Sequence, residues 1–172
     1  MFLLFKIATI VLSLKELHCG VQELNFPKYN FRFKSNENKT LIFDIIRKIF
    51  IVLTPEEWVR QHVLHFLISE KNYPISHINI EKQLKLHNTV KRYDIVVFNP
   101  NGSIEIIVEC KAPKIKINQQ VFDQIARYNF ALQANYLMVS NGLEHYHCTM
   151  DYNNEKYIFL KDIPSYSLNY KN

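Results

Sequence analysis

The chain has 172 residues, 48% of them hydrophobic, and a formal net charge of +5. That is enough apolar material for one good core, and twelve Phe and ten Tyr argue against disorder, while three Gly leave little room for a flexible linker. The charge is compatible with a polyanionic partner without demanding one. Three cysteines (Cys19, Cys110, Cys148), odd in number and without CxxC spacing, exclude a disulfide framework and a zinc site and point to a reducing, cytoplasmic setting. Neither His62/His65 nor His145/His147 has a partner pair at zinc-site spacing. No GxxxxGK[ST] or GxGxxG occurs, so no nucleotide cofactor is expected.

Residues 1–20 read differently from the rest. The apolar stretch Met1 to Leu12 is short for a membrane span and is interrupted by Lys6, and it lacks the charged start and cleavage box of an export signal. It is expected to be either a non-native start extension, with translation beginning at Val21, or a signal-like segment; the first is preferred, and no membrane partner is expected. Residues 21–53 form a lead: an extended aromatic run from Leu24 to Phe33, a polar turn at Ser35 to Lys39, and a piece from Ile42 to Val52 that reads as a short helix or a strand.

A domain is expected over 54–166, with a tail at 167–172. Thr54 is an N-cap, with Pro55 at the first helical position and Glu57 at the third, and Val59, Val63, Phe66 and Leu67 continue a helix to about Ser69. Ser76 to Leu84 alternates polar and apolar residues as a half-buried strand. Two strongly apolar strands follow, Asp94 to Phe98 and Ile104 to Lys111, joined by the turn signal Asn99-Pro100-Asn101-Gly102. Beyond Pro113, Asn118 or Gln119 opens a helix to about Leu132. A buried strand spans Asn135 to Val139, and His145 to Met150 and Lys156 to Leu160 read as a terminal hairpin.

Glu109 and Lys111 alternate on one strand face, so a carboxylate and an ammonium point the same way. A hairpin centred on Asn101-Gly102 pairs positions that set Phe98 opposite Glu105, Val96 opposite Ile107 and Asp94 opposite Glu109. Opposed residues on one face have Cβ atoms roughly 4.5–5.5 Å apart. Two carboxylates that close repel unless a cation lies between them, and Mg²⁺, which takes one or two carboxylates and retains water, suits the gap. Lys111 would then orient a water or offset developing negative charge. The competing reading is a capped strand end and a solvated surface pair.

The α-β-β-β-α-β order with Asp on the second strand and Glu-x-Lys on the third resembles the PD-(D/E)xK nucleases. Thr54-Pro55-Glu56-Glu57-Trp58-Val59-Arg60-Gln61, Arg92-Tyr93-Asp94-Ile95, Val108-Glu109-Cys110-Lys111-Ala112-Pro113 and Phe122 to Asn129 resemble the N-terminal nuclease domain of type I restriction enzyme R subunits, over about Gln22 to Tyr166. The resemblance implies an α/β (α+β), restriction-endonuclease-like αβββαβ core, a mixed sheet flanked by helices, with an additional C-terminal hairpin. It implies Mg²⁺-dependent hydrolysis of DNA phosphodiesters, with Mn²⁺ as a possible substitute and other restriction-modification subunits as possible partners. Asp94, Glu109 and Lys111 take the family's catalytic positions, and Gln124 and Tyr128, four apart on one helix face, match its Gln-x-x-x-Tyr motif. The helix-one acid that joins the metal ligands Asp94 and Glu109 is expected at Glu57; Glu56, on the stripe of Val59 and Val63, is the competing choice. Lys85, Lys91, Arg92, Lys114, Lys116 and Arg127 are the basic residues expected at phosphates. The family's usual Pro before the Asp is replaced by Tyr93, and the stretch carries no helicase-type motor, so ATP-driven translocation is not expected of it. The rival reading is a non-catalytic nucleic-acid-binding or assembly module.

Overall fold

The computed structural model describes residues 22–36, 39–86 and 89–167. The expected extension at 1–20 and nearly all of the tail lie outside the described residues, and of Tyr128 only the backbone is described. The lead does not end in a short helix or a single strand. It folds as a three-stranded antiparallel sheet of β1 (Phe33–Asn36), β2 (Lys39–Asp44) and β3 (Ile49–Val52). The break between β2 and β3 is made by Asp44, whose Oδ1 accepts the backbone N–H groups of Ile46 and Arg47, both at 2.8 Å, closing a tight turn that a helix reading overlooks.

Helix α1 (Pro55–His65) starts as expected, with Thr54 Oγ1 accepting the Glu57 N–H at 3.1 Å, and continues through one π-helical turn at Phe66–Glu70. Strands β4 (Ile78–Leu86), β5 (Thr89–Phe98), β6 (Ile104–Cys110), β7 (Tyr136–Ser140), β8 (His145–Asp151) and β9 (Lys156–Leu160) form one six-stranded sheet in that spatial order. Only β6 and β7 pair in parallel, which is where α2 (Gln119–Leu132) makes its crossover. Asn118 caps α2 by accepting the Val121 N–H at 2.9 Å, and Gln133, left-handed at φ +55°, ends it.

The sheet is buried on both sides, which explains the nearly continuous apolar runs of β5 and β6. On one side Ile95, Val97, Val108 and Cys110 pack with Trp58, Val59 and Val63 of α1, and Phe33 and Ile42 of the small sheet join this core. On the other, Val96, Ile107 and Val139 pack with Phe122, Ile125 and Ala126 of α2. No helix among the described residues is long and apolar enough to cross a membrane.

Candidate active site

The turn arithmetic places Val96 opposite Ile107, as found, but the register shifts at Phe98, which faces Ile104 instead of Glu105. Asn99 begins a five-residue loop in which Gly102 (φ +84°) supplies the left-handed step, and Glu105 is drawn off to the side-chain amides of Asn99 (2.9 Å) and Asn135 (2.6 Å). At the other end the recorded pairing of β5 with β6 stops at Ile95 and Val108. Asp94 takes the next bond with its side chain, Oδ2 accepting the Cys110 N–H at 2.7 Å.

Asp94 and Glu109 do not share one sheet face as strict alternation requires. Asp94 Oδ1 accepts from Arg60 Nη2 of α1 at 2.7 Å, while Glu109 lines a cavity of about 490 Å³ on the α2 side together with Val90, Lys91, Arg92, Lys111, Val121, Gln124 and Ile125. The alternation of β5 slips at Asp94, and Tyr93 takes the α2 side; on the neighbouring strand Glu81 has φ +51°, and β4 pairs with β5 through Ile80 and Lys82 on either side of it without a change of register. Tyr93, at the position of the expected Pro, is a buried core residue whose ring lies 4.7 Å from the Lys91 ammonium.

The cavity gathers Glu109, Lys111 and Gln124 with two of the expected phosphate contacts, Lys91 and Arg92. Lys91 Nζ sits 3.1 Å from Glu109 Oε1. Burial raises the Glu109 carboxyl; Lys91 opposes this, the Asp94 charge adds to it, and Lys111 opposes it more weakly. Asp94 is thus close enough for its charge to be felt although it points the other way. Lys85, Lys114, Lys116 and Arg127 are exposed and do not line the cavity, and the Arg127 Nε donates to the Asp123 carbonyl at 3.4 Å.

Of the two candidate helix acids, Glu57 and not Glu56 is the inward one, which corrects the reading of the Val59 and Val63 stripe that turned Glu56 inward. The Glu57 carboxylate is 9% exposed against 46% for Glu56. It is nonetheless held by the protein: Oε2 accepts from Arg60 Nη1 at 2.6 Å and Oε1 from Gln61 Nε2 at 2.9 Å. Burial raises this carboxyl, against the lowering by Gln61, Arg60 and Arg47. Arg47 in turn reaches Asp44 (2.7 Å) and Glu81 (2.8 Å). This network of Arg47 and Arg60 with Asp44, Glu56, Glu57, Glu81 and Asp94 was missed from the sequence; its local signals were Arg60, three residues after Glu57 on α1, and Arg47, three after Asp44.

Among the described residues no group of three or more His, Cys, Asp or Glu side chains is arranged to hold a metal. Asp94, Glu109 and Glu57 are not brought together as three neighbouring ligands in this arrangement. Asp94 and Glu109 both supply hard oxygens, and the Asp94 charge raises the Glu109 carboxyl, a repulsion that a divalent cation would relieve; both Asp94 oxygens are engaged by Arg60 and the Cys110 N–H, so an ion shared with Glu109 would require that carboxylate to turn.

A mixed sheet covered by a helix on each side, with an acid and a lysine at the end of a central strand and a charged cavity there, defines the class: a mixed α+β domain with a charged cavity at a strand end. Residues 55–164 match the family model for the type I restriction enzyme R protein N terminus, and the chain belongs to that family. It is also similar to a solved fragment assigned as an HsdR subunit of a type I restriction enzyme from Vibrio vulnificus YJ016, at 18% identity and a TM-score of 0.46 over 66% of this chain. This chain spans 24% of that one. No curated protein shows significant similarity.

Proposed function

We propose that this chain is a divalent-cation-dependent nuclease domain that hydrolyses DNA phosphodiester bonds, related in activity to the restriction enzymes whose family it belongs to. The observation that supports this most is that Glu109 and Lys111 open into one cavity with Lys91, Arg92 and Gln124, at the strand end where Asp94 also lies. Asp94 and Glu109 would hold Mg²⁺, with Mn²⁺ as substitute. When bound, the ion supplies Lewis-acid polarisation of a phosphoryl oxygen and a more acidic water. Lys91 and Arg92 offer cations at the cavity wall for the phosphate backbone. Lys111, two residues beyond Glu109 and in phase with it, orients the attacking water and offsets charge developing on the phosphoryl oxygens. Gln124 on α2 lies at the cavity wall and positions the substrate or Lys111; Tyr128, one turn further along α2, is proposed for the same task on its spacing alone. Other restriction-modification subunits are proposed as partners.

One observation favours a second reading, a non-catalytic nucleic-acid-binding or assembly module: both acids are already paired, Asp94 with Arg60 and Glu109 with Lys91. Incubation of plasmid DNA with the protein and Mg²⁺ or Mn²⁺ separates them. Asp94→Ala and Lys111→Ala should each lower cleavage by about a hundredfold or more. Equal activity in all three proteins would rule out the assignment, and salt-sensitive binding without cleavage would favour the binding module.

A further inference from the structure

Arg60 is the least exposed cation of the network, 7% accessible, and its side chain reaches from α1 to Asp94 in the middle of β5. Helical spacing sets it on the face of Glu57, three residues earlier, and Glu56, four earlier. Its planar fork divides between two elements: Nη1 donates to Glu57 Oε2 at 2.6 Å and Nη2 to Asp94 Oδ1 at 2.7 Å, with Glu56 at 3.9 Å and Glu81 at 3.8 Å. Burial works against the guanidinium charge, and the carboxylates of Asp94 and Glu57 outweigh it, so the group is held in its charged form. Arginine does not shed its proton in proteins, so this charge is permanent.

The other oxygen of Asp94 is engaged too, by the Cys110 N–H. Asp94 is therefore fixed at both oxygens, one by a backbone donor of β6 and one by a cation of α1. Glu81, left-handed at φ +51° between the paired residues Ile80 and Lys82, belongs to the same arrangement: its carboxylate lies 2.8 Å from Arg47 Nη1 and 3.8 Å from Arg60 Nη1.

We propose that Arg60 is the resident counter-ion of Asp94: a positioning residue that aims this carboxylate and with which any divalent cation must share it, so that Arg60 weakens the site's cation affinity while fixing the ligand's direction. This rests on the reading of Asp94 as a cation ligand. A divalent ion on Oδ1 would sit within a few ångströms of a guanidinium that is itself 2.7 Å from that oxygen, and like charges at such separations repel strongly in a partly buried site. Removing the charge at position 60 should therefore tighten cation binding, whereas loss of a merely structural residue would loosen it.

The test is Mn²⁺ binding by the full chain, followed by the electron paramagnetic resonance signal of free Mn²⁺, for the wild type and Arg60→Gln, Arg60→Lys and Asp94→Asn, each with a circular dichroism melt. Arg60→Gln should bind Mn²⁺ about tenfold more tightly than the wild type, and Arg60→Lys, which retains the charge, should stay within about twofold of it. Arg60→Met, neutral and of similar length, repeats the test if Gln does not fold. Unchanged or weaker binding by a folded neutral variant, with binding still abolished by Asp94→Asn, overturns the proposal and leaves the ligand assignment standing. Binding by Asp94→Asn equal to that of the wild type removes the ligand assignment and the proposal with it. If neither neutral variant folds, Arg60 is structural and the proposal is likewise overturned.

Discussion

Asp44 joins the small sheet to the ion network, and its replacement should be felt throughout the domain. The residue is fully buried, its Oδ1 accepts two backbone N–H groups of the β2–β3 turn at 2.8 Å, and its Oδ2 accepts from Arg47 Nε at 2.7 Å. Removing one partner of a buried pair costs about 3–5 kcal/mol. Here Arg47 is 27% exposed and retains Glu81, so the lower end applies, about 3 kcal/mol for Asp44→Ala. For a chain of this size that corresponds to a fall in melting temperature of roughly 6–12 °C. Asp44→Asn keeps an acceptor for the turn and loses only the ion pair, so it should cost about 1–2 kcal/mol. The measurement is thermal and urea unfolding by circular dichroism, including Arg47→Met and the double variant. The two substitutions should be non-additive by about 1 kcal/mol or more, because they share an interaction. Melting of Asp44→Ala within about 2 °C of the wild type, or strict additivity with Arg47→Met, would refute the reasoning.

His62 is buried among Phe31, Trp58 and Tyr29, and burial pushes its imidazole down to about 4. The unfolded chain takes up that proton below about 6.5 and the folded one does not, so stability is present above that value and lost as pH falls toward 4. The loss attributable to His62 is up to about 3 kcal/mol, and His62→Gln should show a flatter decline in melting temperature over that window; an identical slope would remove His62 as the cause. Gly142 has φ +85°, and a Cβ there would stand 2.7 Å from Leu24 Cδ2 and 3.1 Å from Val59 Cγ2. Gly142→Ala should cost about 1–2 kcal/mol in urea unfolding, mainly backbone strain, since the Leu24 tip can shift. If Arg92, Lys114 and Lys116 meet phosphates, each Ala variant should flatten the slope of log affinity for DNA against log salt by about 0.9; unchanged slopes would mark them as ordinary surface charge.

The features legible in the sequence are those whose causes are local. Thr54 and Asn118 cap the helices because a side-chain oxygen reaches an N–H three residues on, and that geometry is the same in any fold. The apolar runs of β5 and β6, their hairpin turn and the phase of Glu109 with Lys111 follow from the two-residue repeat of a strand. The lead was misread for the same reason in reverse: Ile42 to Val52 has mixed periodicity, and only the Asp44 turn, closed by Arg47, splits it into two strands.

Tertiary structure decided which charges meet. Glu57, not Glu56, faces inward because the helix is rotated by what α1 packs against, and a stripe of Val59 and Val63 defines that rotation too coarsely to separate adjacent residues. Arg60 finds Asp94 thirty-four positions away, and Arg47 finds Glu81 across the same separation. Asp94 is held by Arg60 on α1 and by the Cys110 N–H on β6, neither of which is near it in sequence. Sequence determined that Asp94 and the Glu109–Lys111 pair would lie on adjacent strands, because alternation and turn length act along the chain. β5 begins at Thr89, however, so Asp94 sits in its middle and not at its start as read from the sequence. Which face each carboxylate takes was set by the fold, because a buried guanidinium requires countercharge and recruits it from whichever strand lies within reach.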